Sequence, residues 1–327
     1  MRIKQNQQQH VGNTPFVQLK RVVSSQHAAI WAKCEFSNPT GTPKDRMYTY
    51  MIDRLEQLED IRPGMTLVDA STGNGGGALA RAAHLKGYRS VIVMPAGMTD
   101  ERKTVINSWH GKIIETSPDA FLAGAESVAL QYAAEHSDSY YLNQAATPLN
   151  SQAMRSIGQE IVAACQQLHL KPDVFVCSIG TGGTYTGVAT ELHAAFRDIL
   201  KIGIEVDQSA PLHAKRKGRF FEHHSHNLMG LGPGKIGGNL DEQLVDEVVT
   251  VAGDDSWKMM KRLVEEEGLE TGPTSGANVL VAQEYARQVG PSGMVVTVLF
   301  DAAWKYLSIW DGRYELYEHD DIVISGK

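Results

Sequence analysis

One lysine, Lys44, follows a turn-forming segment and opens a helical pattern in the run Asn-Pro-Thr-Gly-Thr-Pro-Lys-Asp-Arg of residues 38–46. Lysines are mostly exposed in folded proteins, so taken alone this residue would be a surface lysine. A lysine amine can instead form a Schiff base with an aldehyde when a pocket holds the two groups together. Two glycine-rich loops further along the chain describe a pocket for a phosphorylated aldehyde, and they favour the second interpretation.

The second glycine loop, residues 180–184, is the more specific of the two. It follows a predicted strand, opens a predicted helix and consists of Gly180, Thr181, Gly182, Gly183 and Thr184. Glycines let backbone amides converge without interference from Cβ atoms, and a helix N-terminus attracts anions. The lysine of a nucleotide P-loop and the Rossmann glycine spacing are both missing, so a single phosphate monoester is the expected ligand. A turn without a ligand is the alternative.

The first glycine loop, residues 71–77, also lies between a predicted strand and a predicted helix. Its amides and hydroxyls suit a carboxylate at the positive end of a helix, and they belong to Ser71, Thr72 and Gly73. The amide of Asn74 can donate to a phenolate oxygen. A flexible turn is again the alternative.

Strand and helix patterns alternate along the chain. The predicted strands cover residues 67–69, 90–94, 112–115, 140–142, 173–178, 201–206, 245–251 and 294–300. The predicted helices begin or end near residues 78–86, 100, 120–136, 152–168, 186–196, 254–268 and 275–289. Between them, residues 207–241 are expected to form a long functional loop. This order predicts α/β structure with parallel strands and right-handed crossovers.

Bulk composition excludes several classes of protein. A chain of 327 residues predicts two domains of about 100–200 residues each. A net charge of −7 argues against a nucleic-acid partner. Three cysteines build no disulfide framework and indicate a reducing compartment. No signal peptide and no apolar run approaching about 20 residues is present, so we expect a cytoplasmic protein without a membrane partner.

A basic and histidine-rich stretch, residues 213–226, lies inside the long loop. A solvated loop is the simpler interpretation, and a surface that binds an anion or a partner is the other. The histidines at positions 223, 224 and 226 cluster, but no second group of ligands accompanies them. The sequence therefore predicts no metal site.

With these motifs in this order, the chain resembles the cysteine synthase and cystathionine β-synthase group, which are fold type II pyridoxal-phosphate enzymes. The resemblance covers roughly residues 12–308 and includes the run Gly-Asn-Thr-Pro of residues 12–15. It implies a homodimer of two-domain α/β subunits, each domain a mostly parallel twisted sheet flanked by helices. The implied parts are a smaller, mobile domain with the substrate carboxylate loop (40–147), a larger domain that binds pyridoxal 5′-phosphate (10–39 and 148–312), and a C-terminal tail (313–327).

The resemblance also implies roles for individual residues. Lys44 would carry the cofactor as a Schiff base, Asn74 would lie beside its O3′, and the second glycine loop would bind its phosphate. Thr274 matches the hydroxyl residue that meets the pyridine nitrogen. The residues implied in substrate binding are Ser71, Thr72, Gly73, Gln144 and Gly230.

The reaction follows from these roles. A hydroxyl at the pyridine nitrogen stabilises a pyridinium less than an aspartate would, so loss of a β leaving group competes well. The freed Lys44 amine can act as the base at Cα. We therefore expect β-replacement on an activated L-serine, of the O-acetylserine or O-phosphoserine type, through an aminoacrylate, with a small-molecule nucleophile. A helix cap is the alternative for Thr274, and Ser275 could cap the helix instead.

Several positions depart from the group's pattern. Among them, Gly75 stands where threonine is usual, Ala145 where phenylalanine is usual, and Lys305 where arginine is usual. The loss of a ring at position 145 predicts a nucleophile larger than sulfide, as in a cystathionine- or 2,3-diaminopropionate-type synthase. Repacking of the loop is the other explanation. A dehydratase of the same fold type is a less favoured alternative than a β-replacement enzyme, because the lysine motif of dehydratases usually lacks the Asp-Arg pair. Outside the enzymes, the alternative is a non-catalytic homologue that binds the cofactor.

Overall fold

The computed structural model describes residues 10–309, which build two sheets with helices against them. The strands are β1 (Phe16–Leu19), β2 (Ala29–Cys34), β3 (Thr66–Ala70), β4 (Arg89–Pro95), β5 (Lys112–Thr116), β6 (Ser139–Tyr141), β7 (Val174–Ser178), β8 (Leu200–Val206), β9 (Glu247–Val251) and β10 (Met294–Leu299). The helices are α1 (Lys44–Gln57), α2 (Asn74–Leu85), α3 (Asp100–Ser108), α4 (Phe121–Glu135), α5 (Pro148–Gln167), α6 (Gly183–Ala195), α7 (Pro211–Arg216), α8 (Gly253–Glu267) and α9 (Pro273–Val289).

Both sheets are mostly parallel, which confirms the predicted α/β fold class. The small sheet has the order β5-β4-β3-β6 with parallel pairs throughout. The large sheet has the order β1-β2-β10-β7-β8-β9, and only the β1–β2 pair is antiparallel. The central strands β3, β7 and β10 are buried along their whole length, as strands covered on both faces must be.

The two sheets fall on different sides of the predicted domain boundary. Every strand of the small sheet lies within residues 40–147, and every strand of the large sheet lies within residues 10–39 or 148–312. The two-domain division with these bounds, and the mobility of the smaller part, stay predictions. The predicted tail, residues 313–327, lies outside the described residues.

Several predicted boundaries are wrong, and glycine is the main reason. Helix α2 begins at Asn74 and not near residue 78, so half of the first glycine loop is helical. A Cβ at Gly76 would lie 2.7 Å from Ile92 Cγ2, and one at Gly77 would lie 2.7 Å from Val105 Cγ1. The glycines therefore allow α2 to pack closely against β4 and α3, although a glycine-rich run in a sequence is typical of a loop. Helix α6 likewise begins at residue 183, ahead of its predicted start.

Other differences have local causes. Helix α5 begins at Pro148 and not at residue 152, because proline fits the first helical turn and the Thr147 hydroxyl accepts from the amide of Leu149. The predicted long loop 207–241 contains the short helix α7, whose first amides donate to the buried carboxylate of Glu205. Strands β1 and β2 have no counterpart in the predicted pattern.

Across residues 10–309, none of the helices has the length and apolar character needed to cross a bilayer. The three cysteines are buried and free, as the apolar runs around Cys34 and Cys177 predict. Burial raises the pKa of Cys34 to about 12, so its thiol stays protonated near neutral pH.

A buried cluster of charges anchors the start of α1 to the large sheet and to α5. Arg46 donates to Glu35 at 2.7 Å and to Glu160 at 2.6 Å, and Lys33 also pairs with Glu160 at 2.7 Å. Burial alone would raise the pKa of the Glu160 carboxyl, but the hydrogen bond and charge of Arg46 lower it to about 2. Glu35 thus has Arg46 as its cationic partner, and Glu160 is shared between Arg46 and Lys33.

Removal of this guanidinium should therefore be costly. We expect Arg46→Met to lower the free energy of unfolding by about 3–5 kcal/mol, because it leaves the fully buried carboxylate of Glu35 without its cationic partner, while Glu160 keeps only Lys33. Arg155→Met is the matched control, since Arg155 pairs with Glu191 from a largely exposed position, and it should cost about 1 kcal/mol or less. Urea denaturation measures both. Equal losses in the two variants would show that the buried cluster does not anchor α1.

Candidate active site

One cavity collects the ends of several parallel strands and the starts of the helices that follow. It is lined by residues directly after β3, β7 and β10 and by residues in the first turns of α1, α2, α6 and α9. Helix N-termini and the carboxyl ends of parallel strands are the usual place for an anionic ligand in open α/β sheets. The fold therefore places several amide-rich turns around one space.

Most of the residues selected from the sequence line this cavity. They are Lys44, Ser71, Thr72, Asn74, Gln144, Gly180, Thr181, Gly182, Thr184, Gly230 and Thr274. Gly73 and Gly183 belong to the same two loops but lie behind the cavity surface. The structure thus brings the predicted residues together, while the role of each one stays a prediction.

Lys44 is the first residue of α1, and its half-buried side chain faces the cavity. Burial lowers the pKa of its amine to about 8, against the opposing charge of Asp69. Burial also raises the pKa of the Asp69 carboxyl to about 7, although Tyr48 donates to it at 2.9 Å. A part of the Lys44 amine is therefore neutral near physiological pH, as a nucleophile or base requires.

The second glycine loop is held so that its backbone faces the cavity. Gly182 adopts a left-handed conformation with φ of 86°, and a Cβ there would lie 2.4 Å from the amide nitrogen of Leu240. A Cβ at Gly183 would lie 2.1 Å from Oδ1 of Asn150, a buried residue of α5 that also donates to the hydroxyl of Thr181. Only glycine fits at these two positions, which supports the expected phosphate loop.

The first glycine loop is closed by its own serine. The hydroxyl oxygen of Ser71 accepts hydrogen bonds from the amides of Gly73 and Gly76 at 3.0 and 2.9 Å. Its own proton remains available for a ligand.

The structure explains why glycine occupies position 75, which the sequence alone does not show. A Cβ at this position would lie 2.7 Å from Nε2 of Gln144, so the glutamine amide occupies the space that a threonine side chain would need. Gln144 is held there because its Nε2 donates to the backbone oxygen of Ala70 at 2.6 Å. In this chain a side chain at position 75 would therefore collide with the predicted substrate-binding glutamine.

Thr274 lies in the first turn of α9, and Gly230 packs against it, since a Cβ at Gly230 would lie 3.1 Å from the threonine hydroxyl. The alternative of a helix cap is wrong, because the N-cap of α9 is Gly272 and makes no side-chain cap. Ser275 does not cap the helix either; its hydroxyl oxygen accepts from the amide of Phe300 at 2.8 Å. Thr274 therefore does not act as a helix cap.

The basic stretch 213–226 does not reach the cavity. Lys215 pairs with Glu242 at 2.8 Å, and Arg216 donates to the backbone oxygen of Val245 at 2.6 Å. Lys215 and Arg216 of the basic stretch therefore link α7 to the segment before β9. No group of three or more potential ligands in residues 10–309 is arranged to hold a metal ion.

The sequence missed one wall of the cavity, which we call the outer wall: Phe121, Leu122, Glu126 and Lys235. The first three lie in α4 and the lysine lies in the loop after α7. Lys235 and Glu126 form an ion pair of 3.0 Å between these two parts. No motif marks these residues, and only an amphipathic pattern in α4 could have drawn attention to them.

Comparison with known proteins decides the family. Residues 7–301 match the model of the pyridoxal-phosphate dependent enzyme family. A probable cysteine synthase of Bacillus subtilis (strain 168) is 33% identical over 309 residues, which is 94% of this chain and 97% of that protein. A cysteine synthase of Staphylococcus aureus (strain N315) is 33% identical over 315 residues, 96% of this chain and 97% of that protein.

This chain belongs to the cysteine synthase and cystathionine β-synthase group of pyridoxal-phosphate-dependent enzymes. It catalyses pyridoxal-phosphate-dependent β-replacement on an activated serine.

Solved structures of the group share its fold. An O-ureido-L-serine synthase superposes with a TM-score of 0.88 at 28% identity over 99% of this chain and 100% of that one. An O-acetylserine-dependent cystathionine β-synthase of Helicobacter pylori superposes with a TM-score of 0.86 at 27% identity, over 94% of this chain and 98% of that one. These likenesses confirm the predicted fold type.

The cavity fits the cofactor of this family. The amine of Lys44 can meet an aldehyde, and the glycines at the start of α6 leave room for a phosphate. Asn74 and Thr274 line the same cavity and have polar side chains. The donor set therefore matches an aromatic ring that carries an aldehyde, a phenolic oxygen and a phosphate.

Two buried lysines compete for the role of Schiff-base residue. Burial lowers the pKa of Lys305 to about 8 as well, with Asp301 opposing, but its amine donates to Asn74 and lies behind the cavity surface. We therefore expect borohydride reduction of the loaded enzyme to attach the cofactor to Lys44. Peptide mass spectrometry should find the label lost in Lys44→Ala and kept in Lys305→Met. A label on the peptide with Lys305 would contradict the assignment.

Proposed function

We propose that this enzyme adds a nucleophile larger than sulfide to an activated L-serine, of the O-acetyl or O-phospho type. The observation that carries the proposal is that Ala145, with no bulky ring, lines the same cavity as the outer wall of Phe121, Leu122, Glu126 and Lys235. Sulfide is too small to require contacts with this wall. An organic nucleophile would contact both apolar surface and charged groups there.

Each group of residues has a part in the reaction. Bound pyridoxal phosphate supplies the electron sink that makes a proton at Cα removable. The amides and hydroxyls of the first glycine loop, with Gln144, hold the substrate carboxylate and so orient its Cα bonds. Lys44 takes the proton from Cα, and the second glycine loop keeps the cofactor phosphate fixed.

The charges of the outer wall indicate which nucleophile fits. Lys235 is exposed and its partner Glu126 is half-buried, so the pair is open to solvent, and both residues line the cavity. An amino acid could place its carboxylate on Lys235 and its ammonium on Glu126, exchanging one ion pair for two. A zwitterionic nucleophile, such as an amino acid with a reactive amine or thiol, therefore suits the wall better than a neutral one.

One rival function remains testable alongside it. A cysteine synthase would use sulfide, and the curated relatives at 33% identity favour that function. The alternative of a non-catalytic homologue that only binds the cofactor is not supported, because the relatives are enzymes and the half-buried, partly neutral Lys44 faces the cavity.

An acceptor panel tests the proposal. We expect purified enzyme, loaded with pyridoxal phosphate and given O-acetylserine or O-phosphoserine, to show a higher kcat/KM with an amino-acid nucleophile than with sulfide. Product formation is followed by mass spectrometry, with Lys44→Ala as the inactive control. A clear preference for sulfide would make the enzyme a cysteine synthase, and absence of turnover with every amino-acid nucleophile would also contradict the proposal.

Lys235 provides a sharper test of the outer wall. Lys235→Met removes the cation that we assign to the nucleophile's carboxylate, so KM for an amino-acid nucleophile should rise about tenfold while kcat changes little. KM for the activated serine should not change, because that carboxylate binds at the first glycine loop. Lys215→Met, outside the cavity, is the matched control. Unchanged kinetics in Lys235→Met would contradict the zwitterion assignment.

We further infer that the enzyme is a cytoplasmic homodimer. The group resemblance supports the dimer, and the three free, buried thiols suit a reducing compartment. Light scattering after size-exclusion chromatography measures the mass in solution.

A further inference from the structure

Lys305 is a buried cation that the reaction described above does not use. It lies in the helical turn of residues 303–309 after β10, and only 3% of its surface is exposed. Its Nζ donates to Oδ1 of Asn74 at 2.8 Å. The other side of the same amide, Nδ2 of Asn74, donates to Oδ2 of Asp301 at 2.9 Å. The amide of Asn74 is therefore held between a cation and a carboxylate.

These two partners allow one orientation of the amide. At neutral pH, below the pKa of about 8, the Lys305 amine is mostly an ammonium, which has only protons to give and so requires the amide oxygen. An ionised carboxylate only accepts, so it requires the amide nitrogen. A flipped amide would set donor against donor at Lys305 and acceptor against acceptor at Asp301. Both contacts involve a charged group, which makes the preference strong.

The carboxylate and the cation are themselves fixed. The hydroxyl of Tyr306 donates to Asp301 at 2.6 Å, and the guanidinium of Arg102 lies 5.0 Å from the centre of the Tyr306 ring. The backbone oxygen of Lys305 accepts from the hydroxyl of Thr99 at 3.2 Å. The segment that carries both partners is thus tied to the start of α3.

We propose that Lys305, together with Asp301, is a positioning residue that holds the Asn74 amide with its second N–H toward the cavity, where the phenolic oxygen of the cofactor is bound. The inference rests on the proposed role of Asn74. One N–H of the amide is used by Asp301, and Asn74 lines the cavity, so the remaining proton is the one a bound ligand can meet. Lys305 itself touches neither cofactor nor substrate; it acts through Asn74.

A double-mutant cycle tests this proposal without turnover. The variants are Asn74→Ala, Lys305→Met and the combination of both, and the readouts are the visible absorption of the loaded protein and its Kd for pyridoxal phosphate at one pH. We expect Asn74→Ala and Lys305→Met to shift the absorption maximum in the same direction and to raise Kd, each by about threefold to tenfold. The double variant should match Asn74→Ala alone, because Lys305 has no effect once the amide is gone.

The controls separate positioning from stability. Lys215 is exposed and does not line the cavity, so Lys215→Met should change neither readout. Lys305→Arg keeps a cationic donor and should restore the absorption of the unmodified protein. If Lys305→Met does not fold, as judged by far-UV circular dichroism, Asp301→Asn replaces it, since it removes the obligatory acceptor and should give the same shift.

Three results would overturn the proposal: additive effects in the double variant, an unchanged spectrum in folded Lys305→Met, or an unchanged spectrum in Asn74→Ala. None of these readouts depends on the serine derivative or on the nucleophile. A failure here is therefore distinct from a failure of the proposed reaction, which the acceptor panel measures.

Discussion

A guanidinium buried between two carboxylates holds the segment that carries the reactive lysine. Arg46, two residues after Lys44, reaches Glu35 directly after β2 and Glu160 in α5. Buried charges are tolerated only when each one has its partner, so the three chain segments cannot shift independently. The position of the Lys44 amine in the cavity is a consequence of this constraint.

The same carboxylates explain a motif that lies away from the cavity. The hydroxyl of Thr14 donates to Glu35 at 2.7 Å, and the amide of Asn13 donates to Glu160 at 2.9 Å. None of residues 12–15 lines the cavity. The Gly-Asn-Thr-Pro run therefore accompanies the lysine motif because both complete one network of buried charges, and its contribution to the reaction is indirect.

Sequence reasoning succeeded where local chemistry decides the structure. Glycines that approach other groups closely, such as Gly182 beside Leu240, can be recognised in the sequence because no other residue fits. Sequence reasoning failed where tertiary packing determines the start of an element or the partner of a side chain. The start of α2 was placed too late because the contact of Gly76 with Ile92 depends on the fold. The partners of Asn74, which are more than 200 residues away along the chain, carry no local signal either.

The part of the cavity that surrounds the cofactor and the part that would meet the nucleophile differ in the forces that maintain them. The first consists of backbone amides and buried side chains, so folding itself enforces it. The Lys235–Glu126 pair joins α4 to a distant loop near the surface, where an ion pair contributes about 0–1 kcal/mol to stability. Such a pair can be lost or exchanged at little cost to the fold. Its charges are consequently available to a ligand, and substitution there can change the nucleophile while the lysine, the glycine loops and the reaction type persist.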